Sequence, residues 1–274
     1  MKIKKAVFPV AGFGTRFLPA TKSMPKELLP IINKPVIHYA VDEAIKAGAD
    51  TLIFITGRNK RAIEDYFDLN KELDSELRAK GKLDIAEEVK NIVPKHVDCV
   101  YIRQKEQLGL GHAVLCAKRI VGNEPFFVSL ADDFLIEDDA KKNTLERMSQ
   151  KYSVKQDALV ATMEVLDENI SRYGVVERDK FDQRVIGMVE KPKPAETPST
   201  SAVIGRYLLP PDIFALLDQL EPGAGGEIQL TDALNILASK DRLDTVALEG
   251  ERFDCGSVNG YTNAIMRMCD RRKR

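Results

Sequence analysis

Short apolar runs alternate with amphipathic stretches along the first half of the chain. The apolar run Ala6-Val7-Phe8-Pro9-Val10 predicts a strand over 4–10 and breaks into Ala11-Gly12-Phe13-Gly14. The spacing of Ile37, Val41, Ala44 and Ile45 predicts a helix over 35–47, with Pro35 in its first turn and Gly48 at its stop. Further strands are expected at 51–55, 97–103 and 126–130. Helices are expected near 61–67, along a charged stretch reaching about 93, and at 112–119. Such alternation predicts an α/β fold with a parallel, doubly wound sheet and right-handed crossovers.

Beyond about residue 155 the pattern is less regular. Shorter strands are predicted at 159–164, 173–178, 184–189 and 201–209, interrupted by a proline-rich loop over 192–198. Helices at 211–220 and 230–238 are followed by a closing strand near 246–253 and a final helix from about 259. No shift in composition marks an independent second domain. Residues 1–274 therefore read as one domain, with 1–155 as its first half and 156–274 as an extension that ends in a helix.

In open parallel sheets, ligands lie beyond the carboxyl ends of the strands. Three polar groups fall at such ends: residues 12–16, residues 104–111, and Asp132-Asp133. In the first, Gly12 and Gly14 permit close backbone approach and positive φ, and consecutive N–H groups form an anion cradle. Arg16 follows at once and Lys26 ten residues later, so the segment suits a polyphosphate. Gly-x-Gly by itself is equally a tight strand-to-helix turn beside two solvated cations. A dinucleotide fingerprint would need a small residue where Phe17 stands, and a Walker loop would need Gly-Lys-Ser/Thr; neither is present.

The remaining candidates each allow two readings. Gln107 offers the donor and acceptor that the N3–H and C=O edge of uracil or thymine requires, with Gly111 leaving room for a nucleoside. It is otherwise an exposed glutamine before a glycine-capped helix. Asp132, after the small Ala131, is a hard oxygen ligand placed where Mg²⁺ would bridge carboxylate and phosphate, or else a turn former. Glu190-Lys191-Pro192 ends a strand and would also serve as a solvated edge. Gly225-Gly226-Glu227 precedes a helix that its early acidic residues would cap in any case.

Composition narrows the classes. A hydrophobic fraction of 44% supports a real core, and 30% charged residues favour solubility. Lys and Arg number 41 against 42 Asp and Glu, a net charge of −1 that gives no general attraction for nucleic acid. The basic end, Arg271-Arg272-Lys273-Arg274, reads as frayed and solvated. Cys99, Cys116, Cys255 and Cys269 lack CxxC spacing and read as reduced thiols. With no signal-peptide pattern and no run of membrane-spanning length, a cytoplasmic protein without a membrane partner is expected.

The string Gly12-Phe13-Gly14-Thr15-Arg16, then Pro19-Ala20-Thr21, then Pro25-Lys26, resembles the nucleotide loop of the sugar-phosphate nucleotidylyltransferases. Glu27 and Leu28-Leu29-Pro30 resemble the bacterial UTP–glucose-1-phosphate uridylyltransferase branch, and the likeness runs from residue 6 to about 261. It implies a Rossmann-like nucleotidyltransferase with a smaller, mixed β extension on the sugar side. The implied reaction is transfer of UMP from UTP to glucose 1-phosphate with Mg²⁺ as cofactor and pyrophosphate released. Carried over by position, Ala11, Gly12, Gly14, Thr15, Gln107 and Gly111 hold the nucleotide. Arg16 and Lys26 act on the triphosphate and Lys191 on the sugar phosphate. Tyr173, Gly174, Glu190, Gly205 and Glu227 form the sugar pocket, and Asp132 and Asp254 bind the metal. Asp133 doubles the aspartate where some relatives have one, so it also stands as a candidate ligand.

An ionised phosphate needs no activation as a nucleophile, since its second pKa is about 6. None of the three histidines, His38, His96 and His112, is placed in a nucleophile–base set, so no general base is expected. The same residue types would serve a thymidylyltransferase, because one methyl group is worth only about 1–3 kcal/mol in a pocket. A non-catalytic nucleotide-sugar sensor would be expected to lack one of the cations or the metal aspartate. Homodimers or homotetramers are implied by the resemblance, with helices between 61 and 95 or at the C-terminus as candidate interfaces.

Overall fold

The first apolar run forms strand β1 (Lys5–Val10), in which Ala6, Val7, Phe8 and Val10 are all buried. Burial on both faces is what a central parallel strand demands. The structure is a computed structural model that describes residues 2–166 and 168–272; Lys273 and Arg274 of the basic end lie outside them. A short hairpin, β2 (Pro30–Ile31) and β3 (Lys34–Pro35), closes the glycine loop. Next come β4 (Thr51–Thr56), β5 (Asp98–Arg103), β6 (Phe126–Ser129) and β7 (Asp133–Glu137). The second half contributes β8 (Ala158–Glu164), β9 (Gly174–Arg178), β10 (Val185–Glu190) and β11 (Ser201–Leu209). The last strands are β12 (Leu243–Ala247) and β13 (Gly250–Asp254).

Among the described residues, nine strands form one mixed sheet. Its parallel part runs β6-β1-β4-β5, with Lys5 opposite both Thr51 and Phe126. Strand alternation sends Val7 and Ile53 to one face, against Val114 and Leu234 of flanking helices. Phe8 and Phe54 go to the other, against Ile37, Val41 and Leu145. The second half joins the same sheet through β11, which is antiparallel to β6, β8 and β9.

Strand β11 is shared unequally. One edge pairs with β8 along most of its length. The other edge pairs with β6 at residues 206–209 and touches β9 only at Ala202. The sheet therefore forks near Gly205, whose carbonyl accepts a 2.9 Å hydrogen bond from the Leu130 N–H.

Among the elements that the sequence pattern does not predict are the hairpin strands β2 and β3, strand β7, and a helix over Thr144–Lys155. The expected closing strand is two strands in different sheets, β12 beside β8 and β13 beside β7. The helix expected at 112–119 begins earlier, spanning Gly109–Cys116, with a short helix Lys118–Val121 after it. The charged stretch is two helices, Lys71–Ala79 and Leu83–Lys90. Among the described residues, no helix is long and apolar enough to cross a membrane.

Candidate functional site

The glycine loop leaves the carboxyl end of β1 with its backbone bare. A Cβ built on Gly12 would meet nothing within 4 Å, and Gly14 sits at φ +69°. Thr15 opens a single 3-10 turn, Thr15–Phe17. The Thr21 hydroxyl donates to the Gly14 carbonyl at 2.7 Å, and the Gln107 amide donates to the Ala11 carbonyl at 2.7 Å. Loops from β1 and β5 are thereby laced together, and Ala11, Gly12 and Gln107 line a small cavity of about 50 Å³.

Further along the loop, Lys26 and Glu27 point in different directions. The Lys26 ammonium donates to Asp132 Oδ2 at 2.6 Å. Burial opposes the charge on both, yet their attraction and hydrogen bond outweigh it, raising the Lys26 pKa and lowering that of Asp132. Glu27 turns into the core and meets Lys60 at 2.6 Å, where both are almost fully buried. There desolvation prevails over attraction: the Glu27 pKa is raised and that of Lys60 lowered.

The aspartate pair is divided by its surroundings. Asp133 is spent internally, its side chain only 8% exposed. Its Oδ2 accepts from the Gly205 N–H at 2.5 Å, and its Oδ1 accepts from Arg252 Nε at 2.8 Å. Asp132 keeps 27% of its side chain exposed and faces the cavity. Opposite it stands Asp254, held by the Gly256 N–H at 3.0 Å and by Arg172 at 3.3 Å. A Cβ built on Gly256 would lie 2.6 Å from Asp132 Oδ2 and 2.9 Å from Asp254 Oδ1, so both carboxylates converge on the space that glycine leaves. Among the described residues, no three His, Cys, Asp or Glu side chains form a metal-binding group. Two carboxylates are nevertheless the donor set that suits Mg²⁺, which takes its other ligands from phosphates and water.

From this point a cavity of about 490 Å³ opens at the fork of the sheet. It brings together nine expected residues: Arg16, Asp132, Asp133, Tyr173, Gly174, Glu190, Lys191, Gly205 and Asp254. Lys191 follows β10 directly at φ +47°, its N–H bonded to the Tyr173 carbonyl at 3.0 Å. Its ammonium lies 3.4 Å from Glu190 Oε1 and the side chain is 66% exposed. The absent Cβ of Gly174 leaves room for Glu190, whose Oε2 would otherwise lie 3.1 Å away.

Other expected residues lie outside that lining. The Gly111 N–H donates to the Ile228 carbonyl at 2.9 Å, and a Cβ there would stand 2.7 Å from the same oxygen. This glycine lets the helix Gly109–Cys116 pack against the segment before the helix Leu230–Ala238. Glu227 is exposed and accepts from the Gln229 amide at 2.8 Å.

The sequence pattern does not single out Arg252, Arg172, Thr231 or Lys60, which the structure places at or beside the site. Arg252 bonds Asp133 and also donates to the Tyr173 hydroxyl at 2.9 Å, with its guanidinium 5.1 Å from that ring's centre. Its signal was available, since Arg252 and Asp254 alternate on one face of β13. Thr231 donates to Glu190 at 3.3 Å. Two histidines are engaged elsewhere: His38 with the Tyr66 hydroxyl at 2.6 Å, and His112 with the Gln104 amide at 3.0 Å.

The chain's sequence matches the family described as Nucleotidyl transferase over residues 5–271. It is 46% identical to the UTP–glucose-1-phosphate uridylyltransferase of Pseudomonas aeruginosa over 265 residues, covering 96% of this chain and 94% of that one. A UTP-bound UGPase from Acinetobacter baumannii superposes with a TM-score of 0.90 at 42% identity, covering 97% of this chain and 93% of that one. A UDP-glucose pyrophosphorylase complexed with UDP-glucose gives a TM-score of 0.88 at 44% identity, covering 98% and 99%. The chain belongs to the nucleotidyl transferase family, in its branch of bacterial UTP–glucose-1-phosphate uridylyltransferases.

Proposed function

We propose that this protein transfers UMP from UTP to glucose 1-phosphate, giving UDP-glucose and pyrophosphate. The observation that carries the reading is one cavity with a cation at each end. Arg16 and the Lys26-bonded Asp132 stand on the glycine-loop side, and Lys191 with Glu190 stands on the other. The names and bound ligands of the similar proteins support UTP and UDP-glucose as the nucleotide and product.

The chemistry follows from charge. The barrier lies in bringing two polyanions together and aligning attacking and leaving oxygens, which fixed cations and backbone dipoles lower. Bare N–H groups at Gly12 and the cations Arg16 and Lys26 receive the triphosphate. Lys191 holds the sugar phosphate for in-line attack on the α-phosphorus. No protein group has to take a proton, because the attacking oxygen arrives ionised. Asp132 and Asp254 fit Mg²⁺, which when bound supplies neutralisation of phosphate charge. A cytoplasmic location, where nucleoside triphosphates are made, goes with this function.

The test is pyrophosphate release with Mg²⁺ over a grid of nucleoside triphosphates and hexose 1-phosphates. Turnover confined to UTP with glucose 1-phosphate is expected. A preference for dTTP would overturn the assignment in favour of a thymidylyltransferase.

A further inference from the structure

Arg206 is fully buried at the fork of the sheet, and all five of its N–H donors are used. Nε and one Nη2 hydrogen go to the Glu43 carboxylate, at 2.8 and 3.0 Å. Nη1 donates to the carbonyls of Leu130 and Gly205, both at 3.0 Å. The other Nη2 hydrogen reaches the Asp133 carbonyl at 2.8 Å. The carbonyls of Leu130 and Asp133 bracket Ala131-Asp132, so one rigid, planar group grips the turn on either side of the proposed metal ligand.

A buried ion pair is weak support for stability, since apolar side chains of similar volume often do as well. What an apolar replacement cannot do is bind three main-chain oxygens in a fixed relative position. Nor can lysine, whose ammonium has three donors and no planar fork. The side chain of Asp133 is taken by Arg252 and the Gly205 N–H, which leaves Asp132 as the carboxylate of this turn that faces the cavity.

We propose that Arg206, seated on Glu43, is a positioning residue that fixes the 130–133 turn and thereby aims the Asp132 carboxylate at the divalent cation. This rests on the assignment of Asp132 as a metal ligand. Groups behind a metal ligand typically affect affinity by about 10–100-fold.

The test is Mn²⁺ binding to the whole protein in the presence of UTP, followed by electron paramagnetic resonance, in Arg206→Lys, Glu43→Gln and Asp132→Asn. Arg206→Lys is expected to weaken Mn²⁺ binding by about tenfold or more, while the KM for glucose 1-phosphate at saturating metal holds. Should Arg206→Lys not fold, Glu43→Gln is judged by the same two readings. Unchanged Mn²⁺ affinity in Arg206→Lys beside an impaired Asp132→Asn would overturn the proposal alone. Mn²⁺ affinity and KM moving together would mean general loosening and would also overturn it. Unchanged affinity in Asp132→Asn would defeat the metal assignment itself, and the positioning role with it.

Discussion

Lys26 and Asp132, 106 positions apart in the chain, are joined by a 2.6 Å charged hydrogen bond that ties the glycine loop to the turn after β6. Stabilisation by this pair is independent of pH across the neutral range. Asp132, held below its ordinary value of 3.8, contributes stability above that value and loses it as pH falls through the lowered pKa. Lys26, held above 10.5, contributes below that value and loses it only as pH rises through the raised pKa. Lys26→Gln should cost about 1.5–3 kcal/mol near pH 7, measured by urea denaturation. The gap to wild type should shrink below about pH 4 as Asp132 protonates; a gap that shrinks between pH 6 and 8 would contradict the assignment.

The neighbouring pair behaves oppositely. Glu27 and Lys60 are each pushed toward neutrality by burial, and each is the other's main support for its charge. Lys60→Met should cost about 3–5 kcal/mol by leaving a buried carboxylate unpaired, and adding Glu27→Leu should recover most of that loss. Chemical denaturation of the two variants checks it. A double variant no better than the single would show that the pair stabilises the fold outright.

Lys191 is mostly exposed, and its removal should leave the fold intact. Lys191→Ala is expected to lower kcat by roughly 10²-fold or more, on the scale of a single electrostatic donor. Circular dichroism and the melting temperature should match wild type. Near-normal turnover would remove Lys191 from the reaction.

Two glycines separate protein packing from ligand approach. A Cβ on Gly12 meets no protein atom, so Gly12→Ala should leave stability unchanged or raise it by about 0.4–1 kcal/mol. Its effect should fall on the KM for UTP. Gly256→Ala instead drives a methyl between the Asp132 and Asp254 carboxylates and should raise the Mg²⁺ concentration needed for activity. Steady-state titrations of UTP and Mg²⁺ in both variants distinguish the two effects; a rise in KM for UTP shared equally by both would contradict this division.

The parallel half of the fold was legible because its strands are apolar on both faces and its helices carry clear apolar stripes. The helix Arg61–Phe67 is where periodicity placed it. The hydrophobic pattern does not reveal the helix Thr144–Lys155, although Asn143 and Glu146 form a capping box and Leu145, Met148 and Tyr152 are its buried apolar positions. Its largely polar composition masks that stripe. Strands β7 and β13 were harder, because each is short and its partner lies more than a hundred residues away. Gly12, Asp132 and Lys191 could be singled out as strand-end polar groups. The roles of Asp133, Arg206 and Arg252 could not, since which carboxylate is spent on packing depends on contacts between distant segments.

Strand β11 is one continuous strand that lines the cavity with Val203, Gly205 and Tyr207, and its register with β8 shifts between Ile204 and Tyr207. Under the proposed function, one continuous strand then links the nucleotide end to the sugar end, like marks on a ruler. Interchange of the sugar then becomes a local matter of β9, β10 and the Thr231 segment. The triphosphate end, anchored on β1 and β6, stays as it is.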